Sequence, residues 1–329
     1  MAQIIFDALF RLGHQPIYFK HDTTIPKDVD VVFSYAPYGR FLPIAQQVGR
    51  LPTSLRPTLV HWNTEGLPDL RLPWLMVMTL GAIRSWFGRI YGYSPSAAPP
   101  FADLLHRMEN RVLRFRYVGD YHYAFRKGWL KVFADSSAIY AQIHRKHGLP
   151  TIVVPWGATP VWYENLQLQR DIDVLWMGQY GSRRRQRLLE RIVAELISQG
   201  VNLHLADNIH NPFIFGENRT RYLNRSKITL NLTRTWYDDN FSRFSMAASN
   251  HSMIVSEPML PHCPEYKPDI HYISTPIENI TKTILYYLEY EAERNLMAER
   301  AYQLVTTDLS FEKGIKKIMD EVHIHRFAG

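Results

Sequence analysis

The sequence predicts an α/β protein of two successive units, each a parallel sheet wrapped by helices. Three observations carry this. Short apolar segments of strand length alternate with helix-periodic ones, the pattern of right-handed β-α-β crossovers. At 329 residues the chain exceeds one ordinary core, and domains of roughly 150 residues fit into it twice. Finally, the run Lys227 to Glu257, KITLNLTRTWYDDNFSRFSMAASNHSMIVSE, reads as strand, polar loop, helix and second strand in close succession.

The elements follow in order. Ala2 to Leu12 places Ile4, Ile5, Ala8, Leu9 and Leu12 on one helical face, stops at Gly13 and leads to a short strand, Ile17 to Phe19. Further strands are expected at Val29 to Ser34 and Thr58 to Trp62, ending in the polar loops SYAPYGR and NTEGLPD. Lys131 to Ala134 reads as a strand, Ser136 to His147 as a helix ending at Gly148, and Thr151 to Val154 as a strand. The Pro- and Gly-containing segment Pro155 to Gln169 then separates residues 1–155 from 156–329 as an interdomain linker.

The second unit opens on the strand Ile172 to Met177 and the loop GQYGS. The helix Arg183 to Gln199 turns Leu188, Leu189, Ile192, Val193, Leu196 and Ile197 inward. Val201 to Leu205 is the next strand, and Asn218 to Arg225 a short helix. The strand carrying Ile228, Leu230 and Leu232 gives way to the loop Thr233 to Asn240, the helix Phe241 to Asn250 and the strand Met253 to Ser256. From Ile277 to His325 the pattern is helical.

Composition narrows the classes. The single cysteine, Cys263, excludes an internal disulfide framework and a cysteine-rich zinc site and fits a reducing compartment. The start of the chain lacks the basic, apolar and small-residue succession of a secretion signal, so the expected location is cytoplasmic. The longest apolar stretch, Leu72 to Ile83, falls short of the roughly 20 residues that span a bilayer. Between Arg71 and Lys131 ten basic residues stand against Asp103, Glu109 and Asp120, a local +7 equal to the net charge of the whole chain. With Trp86, Phe87, Tyr91 and Tyr93 interleaved, segment 71–93 is expected to meet an anionic membrane surface, as a peripheral contact at the inner face, or an anionic acceptor. Nucleic acid comes second, since neither a zinc finger nor an RNA-binding aromatic signature is present. The G-x-S-x-G elbow and the G-x-x-x-x-G-K-[ST] loop are both missing, which argues against a hydrolase of that type and an NTPase.

The site chemistry lies in the second unit. A helix N-terminus with an arginine, beside the carboxyl ends of parallel strands, suits a phosphate. Ser242 and Arg243 occupy the first turn of one such helix, and Arg183 and Arg184 that of another, after Gly178 and Tyr180. Arginine's planar fork holds two phosphate oxygens at once. Asn231 ends its strand, where it either positions the loop or touches a ligand. Glu257, rather than Glu265, is the carboxylate placed to accept hydroxyls.

These phrases also carry a resemblance. DIDVLWMG followed by SRRRQRLLERI, YLNRSKITLNL, RFSMAAS before SMIVSE, the late YYLEYEAERNLMAERA and the linker TIVVPWGATPVWY together resemble the donor domain of GT-B glycosyltransferases, more narrowly the group related to the spore maturation protein CgeB. The resemblance spans about Lys131 to Ile318 and is weaker before that. It implies two Rossmann-like domains with parallel sheets facing a central cleft, the last helix crossing back to the first domain. It also implies sugar transfer from a nucleotide-diphosphate donor such as a UDP- or GDP-sugar, without a cofactor or bound metal, in a retaining hexosyl transfer to a saccharide, lipid or protein acceptor. The leaving diphosphate would then be met by Arg183, Arg184 and Arg243 and by helix N–H groups.

The chain departs from the family in two places. Where relatives open this helix on Glu-Ala-Met-Ala it has Ser245-Met246-Ala247-Ala248, with Asn250 where a glycine is usual. It also opens on a helix where a first domain of this type begins with a strand and a Gly-rich turn, so the first strand reads as missing. On the acceptor side, His122 or Glu65 would act as general base if the reaction inverted. A catalytically silent binding protein of the same fold and a sugar-nucleotide epimerase are the alternatives.

Overall fold

A computed structural model of the chain describes residues 2–19, 23–35, 41–91, 115 and 117–327. Part of the expected loop SYAPYGR, and the portion of the basic stretch holding Tyr93, Asp103 and Glu109, lie outside the described residues. The chain divides into two compact units, Met1–Val154 with Lys316–Gly329, and Pro155–Ile315.

The first unit begins with α1 (Ala2–Arg11), which buries Ile5 and Ala8. Its sheet has the order β1-β2-β3-β4, all parallel: β1 (Val31–Tyr35), β2 (Thr58–Asn63), β3 (Leu130–Asp135) and the short β4 (Ile152–Val153). The expected strand Ile17 to Phe19 does not form. Ile17 and Tyr18 are exposed and carry no ladder, while Phe19 alone packs against the core; one anchored side chain is held by packing without a strand partner. Helix α2 (Phe41–Arg50) packs Phe41, Ile44, Ala45 and Val48 onto the core with Leu59, Leu130 and Phe133. Helix α3 (Trp74–Tyr91) lies against α4 (117–126) where two glycines meet: a Cβ on Gly119 would come within 2.5 Å of the Gly81 backbone. Helix α5 (Ala138–Lys146) starts at Ser137, whose side chain accepts from the Tyr140 N–H, a standard N-cap.

In the second unit the linker does not hang free. Trp156, Ala158 and Trp162 are buried, the Ala158 N–H donates to the Val305 carbonyl (2.9 Å), and the Phe311 N–H donates to the Ala158 carbonyl (2.9 Å). Between them Gly157 is obligatory, since a Cβ there would overlap the Leu309 carbonyl. The sheet comprises β5 (Ile172–Met177), β6 (Leu203–Ala206), β7 (Ser226–Asn231), β8 (Met253–Ser256) and β9 (Ile273–Ser274), in the order β6-β5-β7-β8-β9 and parallel throughout. The last of these the sequence reading missed, a two-residue strand lacking any periodicity to detect. Around the sheet pack α6 (Arg183–Ser198), α7 (Gly216–Arg225), α8 (Phe241–Ala248), α9 (Ile280–Glu289) and α10 (Glu291–Gln303); α11 (Phe311–Phe327) closes the chain, and its residues from Lys316 belong to the first unit. The interior strands read as near-continuous apolar runs because both faces are covered: Val174, Leu175 and Trp176 are all fully buried.

Strand order fixes where a ligand can sit. From β5 the chain moves outward to β6, then returns to the opposite side of β5 as β7. The loops leaving β5 and β7 therefore diverge to opposite faces, opening a crevice at the carboxyl ends of the strands.

Candidate functional site

Arginines gather at these strand ends. After β5 the chain turns at Gly178 (φ +127°) and Gly181 (φ +67°), left-handed conformations that favour glycine, and enters α6 through Ser182, whose hydroxyl oxygen accepts from the Arg185 N–H (3.2 Å). Of the three arginines in this turn, Arg183 is exposed. Arg184 turns sideways, donating through Nη1 to Glu257 Oε1 (3.1 Å) and through Nη2 to Oε2, and also to the Thr233 carbonyl (3.1 Å). Arg185 folds back into the unit, 2% exposed, and donates to the carbonyls of Tyr180 and Gln179.

Arg243 comes from the first turn of α8 and crosses to Gly178, where a Cβ would meet its Nη2 at 2.6 Å. The indole of Trp176, fully buried, has the guanidinium carbons of Arg185 and Arg243 at 5.6 and 5.5 Å from its ring, two cation–π contacts that orient both groups. Arg243 Nη1 is buried with no hydrogen-bond partner among the described residues. Burial, joined by neighbouring guanidinium charge, lowers both Arg185 and Arg243 to about 10; at neutral pH both remain cationic. Arg234, in the loop after β7, is instead engaged by Asp238, from its Nε at 2.7 Å and its Nη2 at 3.0 Å.

The other sequence candidates fall into distinct settings. Glu257 is 3% exposed; besides Arg184 it accepts from the Thr233 N–H (2.6 Å) and hydroxyl (2.9 Å), so it ties the ends of β7 and β8 to the start of α6. Asn231 donates to Ser256 Oγ (2.9 Å) inside the sheet. The Tyr180 hydroxyl is raised from its ordinary value by burial, then by Asp207 and Glu190. Ser242 is half-buried beside Arg243. Ser245 is fully buried, donating to the Trp156 carbonyl (2.9 Å) and lying 3.3 Å from the Tyr266 hydroxyl; it holds the start of the linker segment and carries no charge.

In the first unit, His122 is 4% exposed, its Nε2 3.3 Å from His144 Nδ1 and its ring edge-on to Trp74. Burial lowers His122 to about 4 and His144 to about 3. Behind them Asp135 accepts from Asn63 Nδ2 (2.7 Å), which also donates to the Glu65 carbonyl (3.0 Å). The half-buried Glu65 thus follows the end of β2, while His122 stands within a helix. Among the described residues no group of three or more His, Cys, Asp or Glu is placed to hold a metal ion.

The sequence reading takes Arg185 only as one of the arginines of SRRRQRLLERI and Trp176 only as part of the strand Ile172 to Met177. The signal for Arg185 was present: it lies in helical phase with the buried Leu189, Ile192 and Leu196, which singles it out from its two neighbours. Trp176 gave no sign beyond an apolar strand.

Residues 183–320 match the model of a family described as glycosyl transferase-like. Comparison with curated proteins returns no match. Among solved structures, the chain is similar to sucrose-phosphate synthase from Thermosynechococcus elongatus, with a TM-score of 0.53 and 11% identity over 91% of this chain and 74% of that one. It is also similar to Anabaena HepE in complex with UDP and glucose, with a TM-score of 0.57 and 11% identity over 89% of this chain and 77% of that one. The architecture is that of GT-B proteins, two α/β domains each built on a parallel sheet.

Proposed function

We propose that this chain is a glycosyltransferase of the CgeB-related kind that moves a sugar from a nucleoside-diphosphate sugar, with the diphosphate bound at the carboxyl ends of β5 and β7. The observation that carries the reading is the Arg243 guanidinium, cationic, laid against Gly178 at the strand-order reversal, with a buried Nη1 that an acceptor oxygen would satisfy. As the bond between the anomeric carbon and the diphosphate oxygen breaks, that oxygen keeps the electron pair. Arg243 and the helix N–H groups of α8 meet the growing charge without a metal ion. Arg185 holds the 178–182 turn in shape, and Arg183, exposed at the same helix start, reaches outward to the phosphates.

The acceptor, a saccharide, lipid or protein, binds at the first unit. Its hydroxyl oxygen bonds to the anomeric carbon, and in the retaining course its proton passes to the departing phosphate. The deep burial and lowered basicity of His122 favour that course over a histidine base. Glu65 is the group on this side nearer to solvent.

Thermal shift and product release with UDP- and GDP-sugars test the proposal. Arg243→Ala is expected to abolish the donor-induced shift and slow nucleotide release at least about a hundredfold, with little change in the melting temperature of the free protein. Unchanged release would reject the site. A second reading, a donor-binding protein without turnover, is favoured by the uncharged Ser245; a donor-induced shift with neither release nor transfer would select it.

A further inference from the structure

Helix α3 has two unlike faces. Val77, Gly81 and Ser85, spaced by four, are buried; Gly81 presses on Gly119, and the Ser85 hydroxyl donates to Asp120. These contacts fix the rotation of the helix about its axis. Its other side is thereby turned outward: Leu75, Thr79, Ala82 and Trp86, at i, i+4, i+7 and i+11, with Met76 and Ile83 alongside. Leu75 is 79% exposed, Met76 46%, Ile83 48% and Trp86 51%, an apolar stripe where a surface helix of a water-soluble domain ordinarily carries charge.

Charge says what covers it. The helix contains Arg84 and Arg89 and not one carboxylate. It belongs to the 71–131 stretch that holds an excess of positive charge equal to the chain's entire +7. Arg71, just before the helix, is already paired with Asp69 and adds little. Arg126 and Lys127 stand exposed at the end of α4; Arg126 is close enough to bear on His122, whose ring meets Trp74, so this positive charge lies by the start of α3. No helix among the described residues is long and apolar enough to cross a membrane.

We infer that α3 docks along its outer face into the headgroup region of an anionic lipid bilayer, Leu75, Met76, Ile83 and Trp86 entering the interface while the basic residues of the 71–131 stretch meet lipid phosphates. Neither signal alone anchors firmly; apolar insertion and electrostatic attraction together do. The inference does not depend on the sugar-transfer reading, since it concerns a different face and needs no donor.

Vesicle flotation of the full chain tests it, with phosphatidylcholine alone and phosphatidylcholine mixed with phosphatidylglycerol. Binding is expected to the mixed vesicles at least about tenfold above the neutral ones, and to weaken as salt rises. Leu75→Glu, Ile83→Glu and Trp86→Glu should each lower it about tenfold or more. The change at Leu75, 79% exposed, is expected to leave the thermal melt unchanged, and the loss of binding in that variant decides the case should either of the others melt early. Absence of binding, or equal binding to both vesicles, overturns the inference. So does a concentration-dependent dimer in lipid-free buffer that Trp86→Glu dissolves, which would assign the stripe to a second copy of the chain.

Discussion

Arg243 lies across Gly178 so closely that a Cβ on residue 178 would come within 2.6 Å of the Arg243 Nη2. A helix 65 positions further along the chain thus depends on the smallest side chain at a strand end, and the two are brought together only because β5 and β7 are neighbours in the sheet.

Gly178→Ala should therefore act twice. The φ of +127° is strained for alanine, and the methyl displaces the guanidinium; a cost of about 1–3 kcal/mol is expected. Donor affinity should fall along with the melting temperature, whereas Gly200→Ala, also at positive φ but with nothing within 4 Å, should lower stability alone. Equal donor affinity in both variants would show that Arg243 is not positioned by this contact.

Glu257 and Arg184 should prove unequal partners. Glu257→Ala leaves the Thr233 N–H without its acceptor and is expected to cost about 2–4 kcal/mol. Arg184→Ala, whose side chain is 44% exposed, should cost about 1 kcal/mol or less. Urea unfolding of the two single variants and the double variant measures this; an Arg184→Ala cost as large as that of Glu257→Ala would mean the carboxylate is held by the ion pair and not by Thr233.

Acid should loosen the first unit. Burial lowers His61 and His144 to about 3, and His122 to about 4, from 6.5. The folded state thus binds fewer protons than the unfolded chain once pH falls below about 6.5. Stability is fully present above that value and lost progressively toward pH 4, by about 2 kcal/mol per buried ring near pH 5. Denaturant unfolding followed between pH 7.5 and 5 should show the decline, and His144→Phe, which removes one of the three rings, should lessen it by about a third; a level profile in the parent chain would mean these rings are not held neutral.

Ser245 separates structure from family pattern. Ser245→Ala should cost about 1–2 kcal/mol, because the Trp156 carbonyl loses a donor. Ser245→Glu, placing a carboxylate among Phe241, Phe244 and Tyr266, should cost more, about 3 kcal/mol or beyond. A glutamate variant as stable as the parent would show that this helix turn can open toward the strand-end crevice.

The sequence by itself determined the layered α/β architecture and most elements of both sheets, because apolar runs and helical spacing are local properties. It also marked the two helix starts that carry arginines. Helical phase even distinguishes Arg185, aligned with Leu189 and Ile192, from Arg183 and Arg184. What only the tertiary structure decided is which of these groups meet. Arg184 and Glu257 are 73 positions apart, and nothing in either segment announces the other; strand order places them together. Strand order likewise lays Arg243 against Gly178 and Trp176, leaving a buried cationic nitrogen where the sequence offered only an arginine in a first helical turn. The failed strand at Ile17 to Phe19 is the converse case: alternation and apolar content are local, but a strand exists only where a neighbouring edge takes up its hydrogen bonds, and none of that is written in three residues.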